Sequence, residues 1–200
     1  MQRRPHSRRL TPLLLAAALL WLAGCTPTGI QPGVDDQRRW QLNGRIGLRG
    51  DGFAESASIH WRQCGPHFDI RLSGPIGQTV ARIEGRGDQL SVWINGEQPV
   101  VTREPEQLLQ QRLGWSLPVQ ALRHWVRAEA APGNRAHFSG DEQRPQALDQ
   151  LGWHIDYLDY HSSGELALPA KLRLHDSHLT ATLIIRDWQL GDAVSGCPAG

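Results

Sequence analysis

The chain has 200 residues, of which 40% are hydrophobic, 20% charged and 6% aromatic, with a formal net charge of +1. That length holds one domain or a small pair, and that composition excludes a disordered chain, a collagen and a multi-span membrane protein. The charge is unevenly placed: Arg3, Arg4, Arg8 and Arg9 fall in the first 24 residues, which hold no Asp or Glu, and the other 176 residues carry 17 basic and 20 acidic side chains. A mildly acidic body with no basic tract argues against nucleic-acid binding.

The arginines precede an apolar run at residues 13–23 (LLLAAALLWLA). Eleven residues suit the core of a secretion signal and fall short of the ~20 that span a bilayer as a helix. The run ends in Leu22, Ala23, Gly24 and Cys25, which resembles the bacterial lipobox. That resemblance implies cleavage before Cys25, a diacylglycerol on its sulfur and an acyl group on the new amino terminus. Thr26 stands where an Asp commonly retains such proteins at the inner membrane, so outer-membrane sorting is implied. Residues 1–24 are thus expected to be removed, and 25–38 to form a lipidated end and flexible tether. The stretch TPTGIQPGVDDQ has an r.m.s. span of ~20 Å as a flexible chain. Residues 39–190 form the folded body, and the Gly- and Pro-containing residues 191–200 read as a flexible tail.

Two further cysteines, Cys64 and Cys197, remain. An extracytoplasmic location permits a disulfide, and the sequence leaves open whether they pair. Neither lies in a CxxC or Cys/His cluster.

In chain order, residues 40–49 alternate through Leu42, Ile46 and Leu48, and Asp51-Gly52 marks a turn. Ala57, Ile59 and Trp61 alternate, as do Phe68, Ile70 and Leu72 beyond the Gly65-Pro66 break. Gly74, Pro75, Ile76 and Gly77 form a tight loop by their chemistry. Ala81 and Ile83, then Leu90, Val92 and Ile94, continue the strand pattern, and Asn95-Gly96 is a strong hairpin signal. The period changes at Pro105, which suits a first helical position. Leu108, Leu109 and Leu113 follow at helical spacing, with Gly114 as the stop. Pro118 opens a second helix with an apolar stripe of Val119, Leu122, Trp125 and Val126. Residues 132–141 read as a long loop. Strand signals resume after Pro145, through Trp153, Ile155 and Tyr157, a turn at 161–164, Leu172 and Leu174, and Leu179 to Ile185.

The fold expected is mostly β with a few short helices. A long antiparallel sheet curls into a barrel or splits into a sandwich. A helix pair with apolar stripes would plug the open side of a curled sheet and enclose an apolar cavity. The chain has no G-x-S-x-G, H-E-x-x-H, C-x-x-C or S-x-x-K match, so no catalytic residue is assigned. His175 and His178 flank a turn and Asp156 and Asp159 lie close in sequence; both pairs read as solvated surface, and no metal site or cofactor is assigned.

The residues WQLNGRIG from Trp40, IHW at 59–61, GPIG at 74–77, PVQALRHW from Pro118, QLGW at 150–153, LPAKL at 168–172 and IRDW at 185–188, in this order behind a lipobox, resemble the LolB family. Its members are outer-membrane lipoproteins that receive other lipoproteins from the periplasmic carrier LolA. One departure is Ala128, where a glycine is expected after the Trp125 helix. The resemblance implies an unclosed antiparallel half-barrel with helices covering an apolar interior. It also implies a protruding loop with an apolar tip, here Ile76 within Gly74, Pro75, Ile76 and Gly77. From its own chemistry Ile76 fits either an exposed tip or the core; the resemblance favours the tip. The acyl-cavity candidates are Ile59, Trp61, Phe68, Ile70, Ala81, Ile83, Leu122, Trp125, Trp153, Leu183 and Ile185, each of which also fits plain core packing. The partners implied are LolA, cargo lipoproteins with their acyl chains, and outer-membrane phospholipid, with the protein itself monomeric and facing the periplasm. The sequence has no G-x-x-x-x-G-K-[ST] phosphate loop, so transfer should run downhill without ATP. A second reading is an anchored structural lipoprotein with a closed core and no lipid ligand.

Overall fold

The computed structural model describes residues 39–86, 89–161 and 167–197. Cys25, the lipobox and the tether lie outside the described residues, as do most of the turn expected at 161–164 and residues 198–200.

Eleven strands form one sheet among the described residues: β1 (Arg39–Gly50), β2 (Phe53–Cys64), β3 (His67–Ser73), β4 (Thr79–Arg86), β5 (Gln89–Ile94), β6 (Val100–Thr102), β7 (Ala136–Gly140), β8 (Pro145–Gln150), β9 (Trp153–Tyr160), β10 (Pro169–His175) and β11 (Leu179–Leu190). Two helices, α1 (Pro105–Leu113) and α2 (Val119–Trp125), connect β6 to β7. The spatial order is β6-β5-β4-β3-β2-β1-β11-β10-β9-β8-β7, and every neighbouring pair is antiparallel. The sequence therefore makes two meanders, β1–β6 and β7–β11, sewn together where β1 pairs with β11 from Trp40↔Leu190 to Gly50↔Leu179. Strands β6 and β7 end the order and leave the sheet unclosed.

Alternation explains why these segments are strands: Leu42, Ile46 and Leu48 of β1, Ile59 and Trp61 of β2, Phe68, Ile70 and Leu72 of β3 and Ala181, Leu183 and Ile185 of β11 are all buried, with more exposed residues between them except at the buried Asp69 of β3. Laid flat, eleven strands at ~4.8 Å spacing would be roughly 48 Å wide. Yet buried residues from β5, Leu90 and Val92, and from β8 and β9, Leu148 and Ile155, belong to one continuous core cluster. The sheet curls around that core, and Leu109 of α1 and Val119, Leu122 and Trp125 of α2 complete it.

The helix punctuation follows its sequence signals. Pro105 sits at the first helical position, and Gly114 closes α1 at φ +76° with its N–H donating to the Gln110 carbonyl. Asn95-Gly96 takes positive φ at both residues, and the Glu97 N–H donates to the Ile94 carbonyl, as a type I′ turn requires. At the end of α2 the Glu129 N–H donates to the His124 carbonyl and the Ala128 N–H to the Trp125 carbonyl, a Schellman closure. Its left-handed position is Ala128, at φ +59°.

Two expectations are corrected. Residues 132–141 are not all loop: Ala136–Gly140 is the edge strand β7. It pairs with β8 through its backbone, and its one large apolar residue, Phe138, is exposed, so it lacks the alternating burial that marks a strand in sequence. Residues 191–197 are not a free tail. A 3-10 turn (Gly191–Ala193) follows β11, Val194 is buried, and Cys197 forms a disulfide with Cys64 at a Cα–Cα distance of 5.5 Å. The bond closes a loop spanning 133 residues, and closure entropy of that length is worth up to about 5 kcal/mol against the unfolded chain.

Candidate functional site: an apolar interior beside an exposed aliphatic loop

Between β3 and β4 the chain makes a tight turn over residues 74–78. The Gly77 N–H donates to the Gly74 carbonyl at 3.0 Å, and the Gly74 N–H donates to the Gln78 carbonyl at 2.9 Å. Gly77 takes φ +83°, a conformation that side chains resist, and Pro75 stiffens the preceding corner. These constraints hold Ile76 outward, 90% exposed and the most exposed large apolar side chain among those described. The core placement that its chemistry allows is not taken.

At the foot of this loop lies a partly open cleft of about 500 Å³. Ile46 and Leu48 of β1, Ala57 of β2, Leu72 of β3, Val80 and Ala81 of β4, and Leu113 and Trp115 at the end of α1 supply its apolar lining; Gly74 and Pro75 belong to both cleft and loop. Its volume lies within the ~300–1,000 Å³ range of small-ligand sites. Trp115 is itself buried and lines the cleft beside Leu113.

All eleven acyl-cavity candidates are buried in the single core cluster. They fall into groups. Trp61 lies near Trp40 (5.1 Å between ring centres) and Phe68 (6.4 Å), with Ile59 and Ile70 on the same strands and Ile83 on β4 opposite Ile70. Trp125 and Trp153 approach at 6.3 Å where α2 meets β9. Leu183 and Ile185 lie on β11 and Leu122 on α2. Ala81 alone among the eleven lines the cleft; the others pack against one another and the helices. The indole Nε1 of Trp61 and Oε1 of Gln63 are buried without a hydrogen-bond partner in the described structure.

Sequence reasoning missed two groups. Trp115, Leu113, Ile46, Leu48 and Leu72 line the cleft but were not singled out as ligand contacts; a bulky aromatic in the five-residue connection between the helices was the available signal for Trp115. The second is Gln150, which has only 3% exposure. Its Oε1 accepts from Trp125 Nε1 and from the Ala131 N–H, both at 2.8 Å, and its Nε2 donates to the carbonyls of Ala131 (2.7 Å) and Asn134 (3.2 Å). Beside it Tyr157 donates to the Trp125 carbonyl at 3.0 Å. Burial drives the Tyr157 phenol well above its ordinary pKa and pushes Tyr160 up to about 12, so both remain neutral donors at physiological pH. Gln150 and Tyr157 together clamp α2 onto β8 and β9.

The carboxylate and histidine pairs read from sequence are separated by the sheet. Asp156 lies opposite Arg173 and Asp159 opposite Lys171, and His175 lies opposite His154 rather than working with His178.

An open, curled sheet with an apolar interior, two short covering helices and an aliphatic residue held out beside a cleft defines a class: a handler of apolar ligands. The family model "Outer membrane lipoprotein LolB" matches residues 38–188. The outer-membrane lipoprotein LolB of Stutzerimonas stutzeri is 36% identical over 197 residues, covering 90% of this chain and 96% of the relative. That of Pseudomonas syringae pv. syringae is 38% identical over 151 residues, covering 75% and 74%. The fold is shared with a LolA superfamily protein of Nitrosomonas europaea (TM-score 0.50, 12% identity, 78% of this chain and 87% of the other) and a DUF1329 family protein of Desulfovibrio piger (TM-score 0.54, 8% identity, 79% and 88%). The chain belongs to the outer-membrane lipoprotein LolB family. It is an outer-membrane lipoprotein with the acceptor role in lipoprotein trafficking, and that role is favoured over the structural reading. Among the described residues no helix is long and apolar enough to cross a membrane.

Proposed function

We propose that this protein takes the acyl chains of lipoproteins from LolA, holds them against its apolar interior, and releases them into the outer membrane without ATP or a cofactor, while a lipid on Cys25 keeps it at the bilayer. The observation that carries the reading is the juxtaposition of a fully presented aliphatic residue, Ile76, with an apolar cleft that shares Gly74 and Pro75 with its loop. Fully exposing one long acyl chain to water costs on the order of 10 kcal/mol at ~0.8 kcal/mol per CH₂, so transfer requires contact between two apolar surfaces. The cleft is the entry point and the candidate residues behind it, from Ala81 inward to Trp61 and Leu183, are the surface that receives the chain once the helices give way. Those helices have nine and seven residues, too short to be stable alone, so their position rests on tertiary contacts, and the more lightly fastened α1 is the one that gives way.

Ile76 then acts at release. An isoleucine gains ~1.5–3 kcal/mol on full burial, and that gain is available only when the tip enters the bilayer. The test is Ile76→Glu, with radiolabelled lipoprotein on LolA as donor and liposomes as final acceptor. The variant should fold and take cargo from LolA as the parent does, yet pass it to liposomes at least tenfold more slowly. Delivery at the parental rate refutes the role of the loop; failure to take cargo at all by the parental protein refutes the acceptor mechanism.

A further inference from the structure

We propose that His154, Asp156 and His175 form a binding site for a divalent transition-metal cation of the zinc type on the outer face of the sheet. The site lies on the side of β9 and β10 opposite the buried Ile155 and Leu174, away from the apolar interior, so the inference is independent of the acceptor reading.

Sheet register builds the cluster. His154 and His175 are direct cross-strand partners, and Asp156 follows His154 by two positions, on the same face. One ligand atom from each of the three residues lies within 4.8 Å of the others. His154 Nε2 is 3.3 Å from one oxygen of Asp156, and His175 Nε2 is 4.0 Å from the other. Zinc binds nitrogen at ~2.0–2.1 Å and carboxylate oxygen at ~2.0–2.2 Å in tetrahedral sites, which sets its ligands roughly 3.3–3.5 Å apart. The first separation meets that spacing already. The second is to the other oxygen of the same carboxylate; with one oxygen shared, ligand atoms that all lie within 4.8 Å of one another close by at most about 1.5 Å, within reach of a half-exposed imidazole.

The surroundings favour a cation over a chance contact. Asp149 Oδ1 lies 2.5 Å from His154 Nδ1, so it accepts the Nδ1 proton and orients the ring with Nε2 towards the cluster. This carboxylate–histidine relay is the usual support behind a metal-bound imidazole. Asp156 and Asp149 bring negative charge to the site, partly offset by Arg173, the cross-strand partner of Asp156. Nearby Asp176 is committed elsewhere: it accepts from the N–H groups of His178 (2.8 Å) and Leu179 (2.7 Å) to hold the β10–β11 turn. His154 and His175 border a broad surface cleft of about 590 Å³, which leaves the fourth coordination position to water. Two histidines and a carboxylate suit zinc, copper and nickel rather than calcium or magnesium.

The test uses the full-length, untagged protein in detergent, titrated calorimetrically with Zn²⁺ and followed with Co²⁺ by visible absorption. One equivalent should bind, with the intense bands of four-coordinate cobalt. His154→Ala and His175→Ala should each weaken Zn²⁺ at least tenfold, Asp149→Asn by about 10–100-fold, and His178→Ala not at all. His175→Gln gives a second, milder variant, and matching thermal unfolding of the metal-free proteins shows that each has folded. Absence of a stoichiometric binding event overturns the proposal. Equally, binding that survives the double His154→Ala, His175→Ala variant places the metal elsewhere and overturns it.

Discussion

Replacing Gln150 with leucine tests whether the helical cover is fastened where the structure fastens it. The substitution keeps the side chain's bulk and removes both its polar atoms. It strands the Trp125 Nε1–H and the Ala131 N–H without their acceptor and the Ala131 carbonyl without its donor; the Asn134 carbonyl is only part-buried and turns to water. Each buried group left unpaired costs ~1–3 kcal/mol. Three of them, allowing for some relaxation, come to about 3–6 kcal/mol. In a domain of this size 1 kcal/mol moves the melting temperature by ~2–4 °C, so the variant should melt on the order of 10 °C lower. Urea unfolding followed by tryptophan fluorescence measures the cost directly. On a Trp125→Phe background one of the stranded donors is already gone, and Gln150→Leu should then cost about 1–2 kcal/mol less. A loss below about 1 kcal/mol, or a Trp125→Phe background that changes nothing, refutes the idea that Gln150 ties α2 and the following loop to β8.

Ala128→Gly should raise stability by about 0.5–1 kcal/mol, because an alanine is strained at φ +59° and a glycine in the same Schellman position is not; a lower urea midpoint would refute this. Asp69 should make stability fall at acid pH. Burial alone would raise its carboxyl, but hydrogen bonds from Arg82 and Arg71 outweigh that and hold its pKa below the ordinary value. A depressed folded-state pKa gives stability that is complete above the unfolded carboxyl's ~3.9 and is lost as pH falls through the folded value. Asp69→Asn should therefore cost ~1–3 kcal/mol at pH 7 and progressively less below pH 4; a cost that stays constant into acid refutes the assignment.

Strands whose two faces differ were legible. Ile59 and Trp61, Phe68 to Leu72, and Ala181 to Ile185 alternate because one side faces the core, and period two is visible in any single segment. β7 was not legible, because an edge strand held by backbone hydrogen bonds needs no apolar face. The seam between β1 and β11 was hidden for a different reason: it joins residues about 140 positions apart, and alternation says which face a strand buries but not which strand it pairs. The same long-range register explains the site. Spacing sets His175 beside His178, whereas the sheet sets it beside His154. Gln150 stood in a recognisable QLGW segment, yet nothing local distinguishes a glutamine that meets an indole 25 residues away from one that meets water. Ile76 is an intermediate case. A proline and two glycines within four residues marked the tight loop, while its chemistry left Ile76 free to point out or in, and only the family resemblance favoured the outward tip that the structure shows.

The fastenings of the cover are unequal, and their asymmetry bears on how an acyl chain reaches the interior. α2 is held at its C-terminal end by Gln150 and Tyr157, whose bonds are buried and cost ~1–3 kcal/mol each to break without replacement. α1 is held by Leu109 in the core, by Glu106, which accepts from the Val119 N–H at 3.2 Å, and by an Arg112–Glu97 ion pair whose side chains are 41% and 57% exposed. An exposed pair of that kind contributes ~0–1 kcal/mol. The weaker end of the cover is therefore the α1 end, and this is the end that brings Leu113 and Trp115 to the cleft beside Ile76. Lifting α1 breaks none of the sheet's ladder bonds, since the helices connect the two edge strands without pairing in the sheet. Entry under α1 would keep the chain on apolar surface from the loop to the core, and it would put the point of uptake next to Ile76, the residue proposed to act at release.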